Sequence, residues 1–218
     1  MNDFYQAFPQ MRKQEKTIVF FGSNSVGKTT ILQQFTKNQF DEDYQSTLGI
    51  NFYSKDLEQI RLLIWDTCGE ELSNDFAPPH LYRTSSCFII VLSYHSKESL
   101  DESLLYINYI KSNISKQNVK QNPYIIALIN KKDIKNKQFT LKTALQTLRE
   151  LCPHILIGEI TAKDGIGVKK FFNKLESLLT GGNFNNNKEK AQDDDLFFVN
   201  TFKVENESTK GKTKKKCC

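Results

Sequence analysis

The segment Gly22-Ser23-Asn24-Ser25-Val26-Gly27-Lys28-Thr29 fits G-x-x-x-x-G-K-[ST], a spacing suited to holding phosphate. Glycines let the backbone turn tightly enough for successive N–H groups to face phosphate oxygens. The N-terminus of a following helix adds partial positive charge. Lys28 supplies a point charge for β- and γ-phosphates, and the Thr29 hydroxyl is a hard oxygen ligand for Mg²⁺. Asn24, Ser25, Val26, Gly27, Lys28, Thr29 and Thr30 are the expected contacts on the phosphate side. An ordinary glycine-containing turn with an incidental Lys-Thr pair has the same letters. It lacks the setting found here, a buried strand before the loop and an amphipathic helix after it. By itself the motif leaves open a triphosphatase and a kinase of a small substrate.

The base is addressed from another part of the chain. Asn130-Lys131-Lys132-Asp133 follows a buried strand directly, at the carboxyl edge where ligands bind in parallel sheets. A fixed carboxylate at Asp133 accepts two hydrogen bonds, from the N1–H and the 2-amino group of guanine. Adenine offers no such pair. Asn130 is placed to tie this loop to the phosphate loop, and the Lys131 stem to cover the face of the base. Thr161-Ala162-Lys163 follows the next strand, where the Ala162 N–H meets guanine O6. N-K-x-D alone is a weak signal in a chain rich in Lys and Asn. Three loops at one sheet edge are a strong one.

The elements that must carry these loops follow from periodicity. Strands are expected at 17–21, 50–57, 60–65, 88–93, 124–129 and 155–157. The short connection between the second and third predicts an antiparallel hairpin. The runs at 88–93 and 124–129 are continuously apolar, as strands buried on both faces are. Leu100, Leu104, Ile107, Ile110 and Ile114 recur at helical spacing, as do Leu141, Ala144, Leu145, Leu148 and Leu151. Val168, Phe171, Phe172, Leu175, Leu178 and Leu179 form a third such stripe. All these stripes are read as core. Strands alternating with helices predict an α/β fold, a six-stranded mainly parallel sheet with one antiparallel strand and helices on both faces.

Composition sets the class. The chain has 218 residues, 39% apolar and 25% charged, a globular profile. The longest apolar runs have six residues, against about 20 for a membrane-spanning helix. Residues 1–16 carry no apolar signal region, so secretion is not expected, and Asn2 excludes N-myristoylation. The net charge of +5 sits in the tail: residues 1–209 hold 25 basic and 25 acidic residues. No nucleic-acid-binding surface follows from that balance. The five cysteines, Cys68, Cys87, Cys152, Cys217 and Cys218, show no zinc-ligand spacing and suggest a reducing compartment. The domain is expected over 16–180, with an N-terminal extension at 1–15 and a flexible tail at 181–218.

Together these loops resemble those of the small GTPases, and more narrowly the Rab family, over about residues 16–180 plus the terminal cysteines. Trp65-Asp66-Thr67-Cys68-Gly69-Glu70-Glu71 is similar to the family's W-D-T-A-G-Q-E, and Tyr44-Gln45-Ser46-Thr47-Leu48-Gly49-Ile50-Asn51-Phe52 to its first switch. The first-switch pattern, Ile60-Arg61-Leu62, and Val168-Lys169 after the Ala-Lys motif are most similar to the Golgi-associated Rab-six branch. The resemblance implies GTP/GDP with Mg²⁺ as the bound species and slow GTP hydrolysis as a timer. It implies that Thr29 and Thr47 ligate the metal, with Asp66 acting through water, and that the Gly69 N–H bonds the γ-phosphate. It places Phe40 edge-on to guanine and Glu70 in the catalytic position, where the family has a water-orienting Gln. It implies an effector surface at Leu48, Ile50, Phe52, Trp65 and Leu81, and switch segments that reorder on loss of the γ-phosphate.

The chain departs from the family pattern in four places. Glu70 replaces Gln and Cys68 replaces Ala. Pro78-Pro79 is expected to interrupt the helix of the second switch. The connection at 55–60 is short, which trims the hairpin between the switches. Cys217-Cys218 resembles the Rab double-cysteine end that receives two geranylgeranyl groups. Two lipid chains anchor where one binds only reversibly. Five lysines in the last nine residues would each add about 1 kcal/mol beside anionic lipid. The apolar stretch at 196–204 either docks on the prenylation escort protein or folds back onto the domain. The expected partners are an exchange factor, a GTPase-activating protein, the escort protein and effectors. The expected location is the cytoplasmic face of intracellular membranes, Golgi or its vesicles, with a cytosolic pool. A GTP-holding scaffold impaired in hydrolysis is the alternative that Glu70 motivates.

Overall fold

The computed structural model describes residues 13–42, 46–70, 72, 78–117 and 122–181. The strands are β1 (Gln14–Phe21), β2 (Ile50–Asp56), β3 (Ile60–Thr67), β4 (Ser85–Ser93), β5 (Tyr124–Asn130) and β6 (Leu156–Glu159). The helices are α1 (Lys28–Lys37), α2 (Pro79–Thr84), α3 (Lys97–Lys116), α4 (Leu141–Leu151) and α5 (Val168–Leu179). The six strands form one sheet in the order β2-β3-β1-β4-β5-β6. β2 and β3 run antiparallel, with Phe52 opposite Trp65. The pairs of β1 with β3 and β4, and of β5 with β4 and β6, are parallel. The fold is the α/β sheet expected from the alternating pattern.

Alternation along β1 divides the core. Ile18 and Phe20 pack on the face covered by Ile31 and Leu32 of α1 and Phe171, Phe172 and Leu175 of α5. Val19 and Phe21 pack on the opposite face with Leu81 and Tyr82 of α2, Leu100, Ile107 and Ile110 of α3, and Ala144 and Leu148 of α4. Burying each large apolar side chain contributes about 1.5–3 kcal/mol. The central strands therefore hold the sheet from both sides, and their carboxyl ends are fixed points for the loops. Helix starts are specified locally. The Ser96 hydroxyl accepts from the Ser99 N–H at 3.1 Å, and Thr140 does the same for Thr143 at 3.1 Å.

The elements differ from expectation mainly at strand ends. β1 begins at Gln14, because Gln14, Glu15 and Lys16 pair in register with Ile60, Arg61 and Leu62. β4 begins at Ser85, beside Thr17, and the register shifts between Thr17 and Ile18. β6 starts at Leu156 and continues through Gly158 and Glu159, opposite Leu128 and Ile129. In each case a ladder partner recruits residues whose own pattern is not strand-like. Pro78 and Pro79 mark the start of α2, at N-cap and first helical position, where a missing N–H costs nothing. The prolines thus launch a helix, and the residues at 73–77 before it lie outside the described residues.

The short β2–β3 turn is capped from the last helix. The buried Glu176 carboxylate accepts the backbone N–H of Gln59 at 2.6 Å and of Ile60 at 3.3 Å. Leu57 N–H donates to the Ile60 carbonyl at 2.9 Å, which closes the turn itself. The β2–β3 hairpin is in this way fastened to α5.

Candidate functional site

One cleft of about 350 Å³ opens at the carboxyl edge of the sheet, where the loops after β1, β5 and β6 meet. The chain leaves β1 toward β3 on one side, while β4 lies on the other. Ligands bind in such sheets at this reversal of direction. Asn24, Ser25, Gly27, Lys28, Thr29 and Thr30 line the cleft on the phosphate-loop side. Phe40, Thr47, Asn130, Lys131, Asp133, Ala162 and Lys163 line the remainder.

The phosphate loop is held by contacts that exclude side chains. Gly22 has φ 137°, and a Cβ there would lie 2.3 Å from the Val91 carbonyl oxygen of β4. Gly27 caps α1 with φ 95°, and a Cβ there would lie 2.4 Å from Asn130 Nδ2. Lys28 is buried, and its ammonium donates to the Gly22 carbonyl at 2.6 Å and the Ser23 carbonyl at 3.1 Å. The Ser23 hydroxyl donates to Glu102 of α3, which ties the loop to the neighbouring helix.

Asn130 joins the three loops. Its amide Nδ2 donates to the Val26 carbonyl at 3.0 Å, and its Oδ1 accepts the Ala162 N–H at 3.0 Å. Lys131 follows with φ 60°, and its ammonium donates to the Ser25 carbonyl at 3.0 Å. Burial lowers the Lys131 pKa from its ordinary value, opposed by the neighbouring Asp133 carboxylate. Thr161 is buried, and its N–H donates to the Ile166 carbonyl at 3.0 Å, closing the loop that presents Ala162. Lys163 pairs with Glu42 at 3.3 Å, and its ammonium lies 5.8 Å from the Phe40 ring centroid. The aromatic ring and the base-side loops are thereby brought together.

Three oxygens meet at the other end. The Thr29 hydroxyl donates to Asp66 Oδ2 at 2.6 Å and lies 2.8 Å from the Thr47 hydroxyl. Thr29 has one hydroxyl hydrogen and gives it to Asp66, so Thr47 donates to Thr29. Two hydroxyls and a carboxylate at hydrogen-bond spacing are hard ligands of the kind Mg²⁺ takes when it also keeps waters and phosphate oxygens. Among the described residues no cluster of three or more His, Cys, Asp or Glu offers a different metal site. Gly69 adjoins this end with φ 99°, and a Cβ there would lie 2.6 Å from Asn24 Oδ1 and 2.9 Å from Lys28 Nζ. The Tyr106 hydroxyl of α3 donates to the Gly69 carbonyl at 3.2 Å.

Not every expected residue converges. Val26 is buried and contributes its carbonyl to Asn130. Glu70 is exposed and does not line the cleft. Leu48, just before edge strand β2, is 93% exposed, and Phe52 on β2 is 52% exposed, with its ring 5.1 Å from Trp65. Ile50 is half-buried beside them. Leu81 does not share that surface. It is 1% exposed, packed in the core from the second turn-forming position after Pro79. The proline start of α2 turns it inward. Tyr44, Glu71, Cys217, Cys218 and the apolar stretch at 196–204 lie outside the described residues. Sequence reasoning missed Asp41, Glu42, Ser46, Thr67, Cys68 and Ile134 as lining residues. All but Glu42 adjoin an expected site residue: Asp41 follows Phe40, Ser46 precedes Thr47, Thr67 follows Asp66, Cys68 precedes Gly69 and Ile134 follows Asp133.

A parallel sheet with a phosphate loop at its direction reversal, hydroxyl and carboxylate oxygens beside it and an Asn-Lys-Lys-Asp loop opposite defines a nucleotide-binding α/β domain. The Ras family model matches residues 17–180. The chain belongs to the Ras family of small GTPases, GTP-dependent switches that bind GTP or GDP with Mg²⁺.

Asn130→Ala would remove the acceptor of the Ala162 N–H and the donor to Val26 together. Each bond left unmade costs about 1–3 kcal/mol. We expect GDP dissociation to accelerate by about 10- to 100-fold, with both the phosphate and base loops loosened. Stopped-flow release of a fluorescent GDP analogue measures it, and an unchanged rate would show that the three loops hold without this tie.

Proposed function

We propose that the chain is a Rab-type switch in vesicle-mediated membrane traffic, built as a domain at 16–180 with an extension at 1–15 and a tail at 181–218. The observation that carries the switch reading is the hydroxyl contact between Thr29 and Thr47 at 2.8 Å. Thr29 belongs to the fixed phosphate loop, and Thr47 precedes β2 in the exposed connection from α1. When Mg²⁺ is bound with GTP, Thr29, Thr47 and, through water, Asp66 would hold it, and it would neutralise charge on the β- and γ-phosphates. Lys28 and the loop N–H groups bind phosphate. The Gly69 N–H is placed to report a γ-phosphate. Asp133 and Ala162 read guanine against Phe40 and the Lys131 stem. Loss of the γ-phosphate would leave Thr47 and Gly69 without a common anchor, and partners would sense their release.

The Rab reading draws support from the exposed Leu48 and Phe52 with the half-buried Ile50 and Trp65, an apolar patch adjoining the switch. Such a patch suits a partner that senses nucleotide state. Effectors, an exchange factor, a GTPase-activating protein and the prenylation escort are the partners this reading requires. Cys217 and Cys218, next to the lysine run, are the proposed lipidation sites. Golgi membranes or their vesicles are the proposed location. Cys217→Ser with Cys218→Ser should leave the protein in the soluble fraction with GDP affinity unchanged. Intact mass of the native membrane-bound pool should show two added isoprenoids, and an unmodified C-terminus there would sink the anchoring proposal.

A second reading, a GTP-holding scaffold with impaired turnover, is favoured by one observation: Glu70 is exposed and away from the cleft lining. A Gln amide can accept from an attacking water and donate to the transferring phosphoryl group, whereas a carboxylate only accepts. Like charges at about 5 Å repel by roughly 3 kcal/mol at an effective dielectric of 20, which keeps a carboxylate away from γ-phosphate. We expect slow single-turnover GTP hydrolysis and a faster rate in Glu70→Gln. Equal rates would make Glu70 a bystander and remove the ground for the scaffold reading.

A further inference from the structure

Tyr94 and Glu159 sit behind the base loop and belong to none of the motifs that bind nucleotide. Tyr94 follows the last residue of β4, and Glu159 ends β6. The Tyr94 hydroxyl donates to Glu159 Oε1 at 2.5 Å. The other carboxylate oxygen, Oε2, lies 3.7 Å from the Lys132 ammonium. Lys132 stands immediately before Asp133, so the carboxylate reaches the loop through the neighbour of the base-reading residue.

The Tyr94 ring is itself fixed. It is buried, it tilts against Phe139 with centroids 5.0 Å apart, and the Lys137 ammonium lies 4.4 Å from its centroid. Its backbone joins the same assembly. The Tyr94 N–H donates to the Asn130 carbonyl at 3.2 Å, and its carbonyl accepts from Gln138 at 2.9 Å. The Lys132 N–H donates to the Ile160 carbonyl at 3.1 Å. The ends of β4, β5 and β6 are thus cross-tied on both sides of Asp133.

This loop needs outside support. Lys131 holds φ 60°, a conformation that costs a side-chain-bearing residue energy and persists where the surroundings over-determine it. The Lys132–Glu159 pair alone is weak support, since Lys132 is half-exposed and such pairs contribute little. The Tyr94 bond differs: it is charge-assisted and anchored by a buried ring. Burial, and then the bond and proximity to Glu159, raise the Tyr94 pKa well above its ordinary value, so the hydroxyl stays a donor.

We propose that Tyr94 and Glu159 are positioning residues for guanine discrimination, a clamp that fixes Lys132 and thereby sets the Asp133 carboxylate where it accepts both guanine donors. The inference rests on the reading of Asp133 as the guanine contact. Inosine nucleotides separate the two, because hypoxanthine keeps N1–H and lacks the 2-amino group. A clamp that sets the carboxylate should matter for the second bond. A residue that merely stabilises the fold should weaken both nucleotides by the same factor.

The test is the ratio of IDP to GDP dissociation constants, measured on the full chain with Mg²⁺ present. Tyr94→Phe keeps the ring packed on Phe139 and beneath Lys137 and removes only the hydroxyl. It should lower the ratio by on the order of tenfold, the worth of one charge-assisted bond. Glu159→Ala should do the same, and so should Glu159→Gln, which keeps an acceptor for Tyr94 but turns an amide donor toward the Lys132 ammonium. A Tyr94→Phe ratio within about twofold of the unmodified chain would overturn the clamp, whatever happens to absolute affinity. Should Glu159→Ala fail to fold, Tyr94→Phe alone decides. An unmodified chain that binds IDP and GDP equally would instead refute the Asp133 reading, and the clamp with it.

Discussion

The site depends on a side chain with two hydrogen bonds. Asn130 gives its amide hydrogen to the phosphate loop at Val26 and receives the N–H of Ala162 from the loop after β6. Both bonds are buried, and a buried polar group left unpaired costs more than the bond gains. Neither flanking loop can therefore shift alone without orphaning a partner. Gly27 is required by the same contact, since any Cβ at that position would meet the Asn130 amide at 2.4 Å. Phosphate binding and base recognition are coupled through this contact, with the sheet edge as a common platform.

A second arrangement sits at the far end of the cleft and has a different character. Thr29 and Asp66 rise from buried β1–α1 and β3 ends, whereas Thr47 comes from an exposed connection. Their contact joins two buried residues to one from a mostly exposed connection. The hairpin that follows Thr47 is pinned at its other end by Glu176 of α5. The hairpin is thus held at its turn by α5, and the residue before it, Thr47, is held through Thr29. A base end tied by Asn130 and a metal end that includes one residue of an exposed connection suit a nucleotide switch.

The phosphate loop and the Asn-Lys-Lys-Asp loop were legible because each is contiguous and each follows an apolar strand. The helical stripes were legible for the same local reason, as all six apolar positions of α5 are buried. The polar start of β1 was not, since Gln14, Glu15 and Lys16 become strand only through pairing with β3. Leu81 was misplaced because the family resemblance carried no information about how Pro79 orients α2. Glu176 and the Tyr94–Glu159 pair left no trace in the sequence. Their partners lie 117 and 65 residues away, and a contact so distant has no periodicity to betray it.

The central claim is that one cleft reads phosphate at one end and guanine, through Asp133, at the other. Exchanging Asp133 for Asn tests it most directly, because the amide presents a donor where guanine also donates. Isothermal titration of the Asn variant with GDP and with xanthosine diphosphate, whose 2-oxo group accepts, should show weaker GDP binding. The loss should be on the order of 1.5–3 kcal/mol, with a gain for the xanthine nucleotide. Unchanged GDP affinity with no gain for xanthosine diphosphate would contradict the account.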